Sequence, residues 1–182
     1  MNQTKNWREC LEIVHRIALY EPQLRLWLFE DSNLSAEPER AAFQAAVARL
    51  GLGHRIDVFS NAPHSDMPHY YSVIGESGGF FLLSSSVLEG FGYAVAEALS
   101  CRCPVLSTDS DGVRAFINHN STGKFYPLGN IGQAVQEGLE LMKNGPLRES
   151  IRMRGRSHIE SLFSSDTYAA HFIGMLHRLG LQ

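Results

Sequence analysis

The sequence predicts an α/β fold: a Rossmann-like parallel sheet with helices on both faces, in one domain spanning residues 1–182. Three observations lead there. Short strand-like runs alternate with helix-periodic segments along the chain. The runs are largely apolar, as strands covered on both faces must be. No repeat, low-complexity stretch or internal linker divides the 182 residues, which suffice for one substantial core.

The elements follow in order. Residues 6–20 place Leu11, Val14, Ile17 and Ala18 at helical spacing, and Pro22 ends that helix. Residues 24–29 form a strand. Ser35 caps a second helix, with Pro38 in its first turn, running to Leu50; Gly51-Leu52-Gly53 is a C-terminal stop. Residues 55–59 are the next strand, and Asp66 caps a short helix through Tyr71. A strand over 79–83, a helix over 91–100, a strand over 104–108, a short helix over 111–117 and a strand over 124–126 follow. Three helices near 131–143, 147–162 and 166–179 complete the chain. Ligands of such sheets bind beyond the carboxyl ends of the strands. The loops that matter are therefore 30–33, 60–65, 84–92 and 108–112.

Bulk properties exclude several classes. The net charge is −3 and basic residues form no long run, which argues against a nucleic-acid surface. No apolar stretch is long enough to span a membrane, and the N-terminus lacks a signal-peptide pattern. Cys10, Cys101 and Cys103 are odd in number and have no framework spacing, which points to a reducing cytoplasm. Cys101-Arg102-Cys103 lacks the wider spacing and second ligand pair of a zinc site. There is no Gly-x-Ser-x-Gly elbow and no zinc-ligand pair, so hydrolase readings are poor.

The chemistry concentrates in Ser84-Ser85-Ser86-Val87-Leu88-Glu89-Gly90-Phe91-Gly92, between a strand and a helix. Two glycines allow close approach of backbone to ligand, and free N–H groups at the helix start favour a phosphate. The helix Tyr93-Ala94-Val95-Ala96-Glu97-Ala98-Leu99 is apolar nearly all round, so Glu97 needs donors, and ribose hydroxyls are suitable ones. The competing structural reading has Glu89 capping the helix and Glu97 pairing with an arginine.

The run from Glu89 to Leu99 resembles the E-x7-E segment of retaining glycosyltransferases of family 4 (glycosyl transferases group 1), which have the GT-B fold. Pro104-Val105-Leu106-Ser107-Thr108 resembles that family's next strand. Asn120-Ser121-Thr122-Gly123-Lys124-Phe125-Tyr126-Pro127 is similar to its "NG.TG.L..P" turn, and Phe163-Ser164-Ser165-Asp166 to the FSW motif that opens its last helix. These matches fall in order and cover nearly the whole chain. Asp66-Met67-Pro68-His69-Tyr70-Tyr71 with Gly78-Gly79-Phe80-Phe81 resembles the sucrose-phosphate-synthase branch.

The resemblance implies roles. The chain would be the donor-binding, C-terminal half of a GT-B enzyme transferring a hexose from a nucleotide diphosphate sugar. Glu89, as the catalytic carboxylate, would contact the donor hexose and Glu97 the ribose. The backbone of Gly90, Phe91 and Gly92 would face the sugar and diphosphate, Lys5 would bind the diphosphate, and residues 59–62 would lie near the nucleobase. It implies no metal and no cofactor, since helix dipoles and basic side chains hold the diphosphate. It implies an acceptor-domain polypeptide as partner.

Departures qualify it. The family's strand ending in an arginine, a few residues before the lysine, is not in this sequence; the strand would be a central one. Arg102 stands where glycine is usual, Ala115 replaces a frequent glutamate, and Glu30-Asp31-Ser32 replaces a glycine-rich turn. A non-catalytic nucleotide-sugar-binding module, a partner subunit or a truncated remnant is the alternative. Among the remaining residues, His64 and His69 flank a loop at the ligand edge. His15, His158, His171 and His177 read as surface positions on helices. Arg148, Arg152, Arg154 and Arg156 read as a solvated helix face, and Trp7 and Trp27 as core anchors.

Overall fold

The computed structural model describes residues 5–32 and 36–180. Helices α1 (Trp7–Ala18), α2 (Glu37–Arg49), α3 (Met67–Ser77), α4 (Tyr93–Ser100), α5 (Ile131–Lys143), α6 (Gly145–Phe163) and α7 (Ser165–Arg178) alternate with strands in the first two thirds of the chain. The strands are β1 (Leu26–Glu30), β2 (Ile56–Ser60), β3 (Leu82–Ser84), β4 (Val105–Thr108) and β5 (Lys124–Tyr126). All pairings are parallel, as predicted: β1 with β2, and β3-β4-β5.

The described strands form two sheets rather than one. Leu26 N–H donates to Arg55 O and Asn61 N–H to Glu30 O, so the even-numbered residues of β1 turn their backbone to β2. Trp27 and Phe29 therefore aim theirs the other way. Leu82 N–H donates to Pro104 O, which leaves Leu83 aimed away from β4. Among the described residues no hydrogen-bonded pairing joins β1-β2 to β3-β4-β5.

Helix α1 ties the two sheets together. Its Ile13 and Ile17 pack with Leu106 and Tyr126 of the three-stranded sheet. Its Trp7, Leu11 and Val14 pack with Leu24, Leu26 and Leu28 and reach Leu83. Each such fully buried side chain contributes about 1.5–3 kcal/mol of hydrophobic stabilisation. On the other face Tyr71 of α3, Val95, Ala98 and Leu99 of α4, Val105 and Ile159 share a core. Strand β4 is buried throughout, whereas β1 and β3 are half-buried, as edge strands would be.

Several boundaries differ from expectation. Helix α3 runs on to Ser77, because nothing stops it before Gly78 at φ 68°. Gly75 inside it lets the backbone of Cys103 close in: a Cβ there would stand 2.6 Å from Arg102 O. Asp66 makes no side-chain capping bond to it. Residues 111–117 form only a 3-10 turn over Asp111–Val113. Ser35 lies outside the described residues; α2 starts from Ala36, with Pro38 in its first turn.

The basic stretch of α6 is a solvated face only in part. Arg148 donates to Leu141 O and Met142 O at the end of α5, satisfying carbonyls the helix leaves open. Arg152 is mostly buried and holds Arg102 O and Glu76; Arg154 and Arg156 are exposed. His171 and His177 are surface residues as read. His15 and His158 instead hydrogen-bond through ring nitrogens to Leu50 O and Ala115 O. Trp7 is a core residue, whereas Trp27 is half-buried in an aromatic group with Phe59 and Tyr70. Among the described residues no helix is long and apolar enough to cross a membrane.

Candidate functional site

The carboxyl ends of the strands are stitched to one another. At the β1–β2 end Ser60 Oγ donates to Glu30 Oε1, and Asn61 receives Ser32 N–H on Oδ1. Asn61 takes φ 54°, a conformation asparagine tolerates in turns. At the β3–β4 end Thr108 Oγ1 donates to Ser86 O at 2.6 Å. Ser85 Oγ donates to Lys5 O at 3.1 Å and Asn6 O at 3.2 Å, which anchors the backbone of Lys5 just past the end of β3.

The loop from Ser84 to Gly92 is held by glycine contacts. Gly92 adopts φ 80°, and a Cβ on it would stand 2.5 Å from Val113 Cγ1. A Cβ on Gly112 would stand 2.1 Å from Glu89 O, so the 84–92 and 108–112 loops touch backbone to backbone. Gly90 is different: a Cβ there would meet nothing within 4 Å. Phe91 packs its ring against Tyr93, Phe116 and Phe163. The Phe163 motif thus supports the loop that precedes α4, a link its position beside the last helix did not reveal.

Both carboxylates already face a basic side chain. Lys5 Nζ donates to Glu89 Oε2 at 2.8 Å and to Oε1 at 3.2 Å; the Glu89 side chain is 16% exposed and that of Lys5 59%. His64 Nε2 lies 2.9 Å from Glu97 Oε1, with Glu97 31% and His64 84% exposed. The two contacts named by the structural alternative, a Glu89 cap and an arginine on Glu97, are absent among the described residues, although both glutamates are paired. Gly92, without a side-chain bond, stands at the N-cap of α4, and Glu97 has no arginine partner among the described residues.

Helix α4 is also less enclosed than its composition suggested. Val95, Ala98 and Leu99 are buried, but Tyr93 is 70% exposed and Ala94 lies on the same open side. The first bonded amides are those of Val95 and Ala96, both to Gly92 O. The N–H groups of Tyr93 and Ala94 thus remain available at the positive end of the helix dipole, where an anion is favoured. Near Glu97, Tyr71 has its phenol pushed well above its ordinary range, first by burial and then by the Glu97 charge. It therefore keeps its proton.

The sequence-predicted residues Lys5, Glu89, Gly90, Phe91, Gly92 and Glu97 thus fall on one edge of the domain. His64 joins them by a contact that sequence reading missed; its place in the 60–65 loop was the only signal. Its companion His69 lies on α3 without a hydrogen bond among the described residues. Among the described residues no group of three or more His, Cys, Asp or Glu side chains is placed to hold a metal ion.

Comparison with known proteins bears on the fold and the family. The chain is 25% identical over 91 residues to the N-acetyl-alpha-D-glucosaminyl L-malate synthase of Bacillus anthracis, a match covering 50% of this chain and 24% of that protein. In fold it is similar to Anabaena HepE in complex with UDP-glucose, with a TM-score of 0.84 at 16% identity, covering 98% of this chain and 46% of that one. It is also similar to the sucrose-phosphate synthase of Thermosynechococcus elongatus, with a TM-score of 0.77 at 22% identity, covering 98% of this chain and 43% of that one. Both likenesses are of the fold. The chain spans less than a third of the length of the curated relatives it matches. A family model described as glycosyl transferases group 1 matches residues 1–158. That match covers the loop, both glutamates and every strand, and the chain belongs to the glycosyl transferases group 1 family.

Proposed function

We propose that the chain is the donor-binding domain of a retaining, family 4 hexosyltransferase. It would bind a nucleotide diphosphate sugar whose hexose passes to an acceptor held by a second, acceptor-binding domain. The observation that carries this reading is the convergence of Lys5, Glu89 and Glu97 on one edge around the exposed start of α4. Glu89 contacts the hexose. The diphosphate lies against the Gly90–Gly92 backbone, the free amides of α4 and Lys5. Glu97 accepts ribose hydroxyls, and the loop over 59–62 borders the base.

The chemistry asked of these groups is electrostatic. As the bond from the anomeric carbon to the diphosphate oxygen breaks, negative charge grows on the diphosphate. Helix amides and a lysine held in place stabilise that charge without reorganising, and no metal or cofactor is required for it. The free cysteines support a reducing, cytoplasmic setting.

A second reading is a binding module without turnover. Ala115 is exposed beside the site loop where the family often has a glutamate, and it offers no carboxylate. Calorimetric titration with UDP-, GDP- and ADP-sugars tests donor binding. One of the three is expected to bind; a folded sample that binds none sinks both readings. Transfer assayed with an acceptor-binding domain supplied in trans separates them, since the module reading requires donor binding without product.

A further inference from the structure

Among the described residues, His64 is the ionisable side chain that meets a site carboxylate and that the proposed roles leave unused. It opens the 3-10 turn His64–Asp66 just after β2, and its Nε2 stands 2.9 Å from Glu97 Oε1 on α4. A carboxylate only accepts, so Nε2 must carry the hydrogen, in the neutral or the protonated ring. Among the described residues Glu97 Oε2 makes no hydrogen bond. The loop bearing His64 is itself fixed, because Asn61 exchanges two hydrogen bonds with Ser32 at the end of β1. With its ring 84% exposed, His64 contributes little to the core.

We propose that His64 is a positioning residue for nucleoside recognition. Its Nε2–H holds Oε1, fixes the rotation of the Glu97 carboxylate and leaves Oε2 turned to the ribose hydroxyls. A carboxylate already fixed in this way gives up less freedom when the ribose arrives. The inference rests on the reading of Glu97 as the ribose-binding residue.

The test compares UDP, GDP and ADP with their 2′-deoxy forms by calorimetry, using the intact chain and its His64→Ala, His64→Gln and Glu97→Ala variants. For the base that binds, His64→Ala weakens the ribose form about fivefold, the value of one ordinary hydrogen bond. It weakens the deoxy form, which keeps only the 3′-hydroxyl, by less, so the ratio between them narrows. His64→Gln, which keeps an N–H donor, recovers most of the ratio. An unchanged ratio in His64→Ala beside a narrowed one in Glu97→Ala overturns the proposal and leaves the donor site standing. Equal weakening of both forms, or tighter binding of the ribose form, overturns it too. An unchanged ratio in Glu97→Ala locates the failure in the ribose reading itself. Absence of binding by all three nucleotides removes the donor site on which the proposal stands.

Discussion

Lys5 Nζ grips both oxygens of Glu89, at 2.8 and 3.2 Å, across 84 residues of sequence. The two groups assigned to neighbouring parts of the donor, its hexose and its diphosphate, are paired with each other here. A diphosphate arriving at Lys5 must exchange one anionic partner for another. The pair is largely exposed on the lysine side, so it adds little to stability. Lys5→Ala should shift the unfolding free energy by less than about 0.5 kcal/mol in urea titration. It should weaken binding of a nucleoside diphosphate about tenfold, a loss of about 1.4 kcal/mol. It should leave binding of the unphosphorylated nucleoside unchanged in calorimetry.

Gly90 and Gly92, two residues apart, should respond to alanine in opposite ways. Gly92→Ala forces a side chain into φ 80° and against Val113. Strain and overpacking together should cost about 2–4 kcal/mol in denaturant unfolding. Gly90→Ala meets open space and should change stability by less than about 0.5 kcal/mol. If the Gly90 backbone faces the donor, that variant should nonetheless bind a nucleotide sugar at least about tenfold more weakly.

Lys124 is fully buried on β5 and meets Glu137, Glu140 at 2.6 Å and Asn120 Oδ1 at 2.7 Å. Lys124→Met strands carboxylates beside a buried apolar group and should cost about 3 kcal/mol; adding Glu137→Leu should recover part of it. The same cluster gives a pH signature. Lys124 holds the Glu140 carboxyl below its ordinary value of 4.5, chiefly by hydrogen bonding. A depressed folded pKa stabilises above the unfolded value, so this contribution is complete at neutral pH. It disappears as pH falls from about 4.5 through the lower folded value. Melting temperature in Glu140→Gln should therefore differ from the parent at pH 7 and converge with it in that acid window.

Arg102 adopts φ 57°, a left-handed conformation that favours glycine, and its buried Nε finds no partner among the described residues. Relief of left-handed strain, worth about 1–2 kcal/mol, should outweigh the added flexibility of glycine, about 0.5–1 kcal/mol. Arg102→Gly should thus raise the melting temperature by about 1–3 °C, read by calorimetry.

What could be read from the sequence followed from local rules. The α5 boundaries matched because Asn130 caps it by accepting from Gln133 N–H, and a buried stripe repeats behind that cap. Strand β4 matched because four consecutive residues are enclosed. The end of α3 did not, because Tyr71 carries no stop signal and the break comes only at the left-handed Gly78 and Gly79. In the candidate site, Glu89 and Glu97 were singled out by the resemblance of the segment from Glu89 to Leu99. Their pairings were not legible: Lys5 and His64 reach them over 84 and 33 residues, through loop conformations that no pattern encodes. Arg148 and Arg152 misled for a related reason, since a charged side chain on a polar helix face gives no sign that a neighbour's carbonyl awaits it.

The divided sheet has a consequence for handling the domain. Among the described residues, Trp27 and Phe29 of β1 and Leu83 of β3 turn their backbone away from the strands they pair with, forming two rims. Such rims are templates for self-association unless they are blunted by charge or covered. The ionic groups at β1 sit at its two ends, where Arg25 is held by Asp57 and Glu30 by Ser60, and the aromatic middle carries no gatekeeper. Colloidal behaviour, followed as scattering against concentration, is therefore a gauge of how completely those rims are occupied.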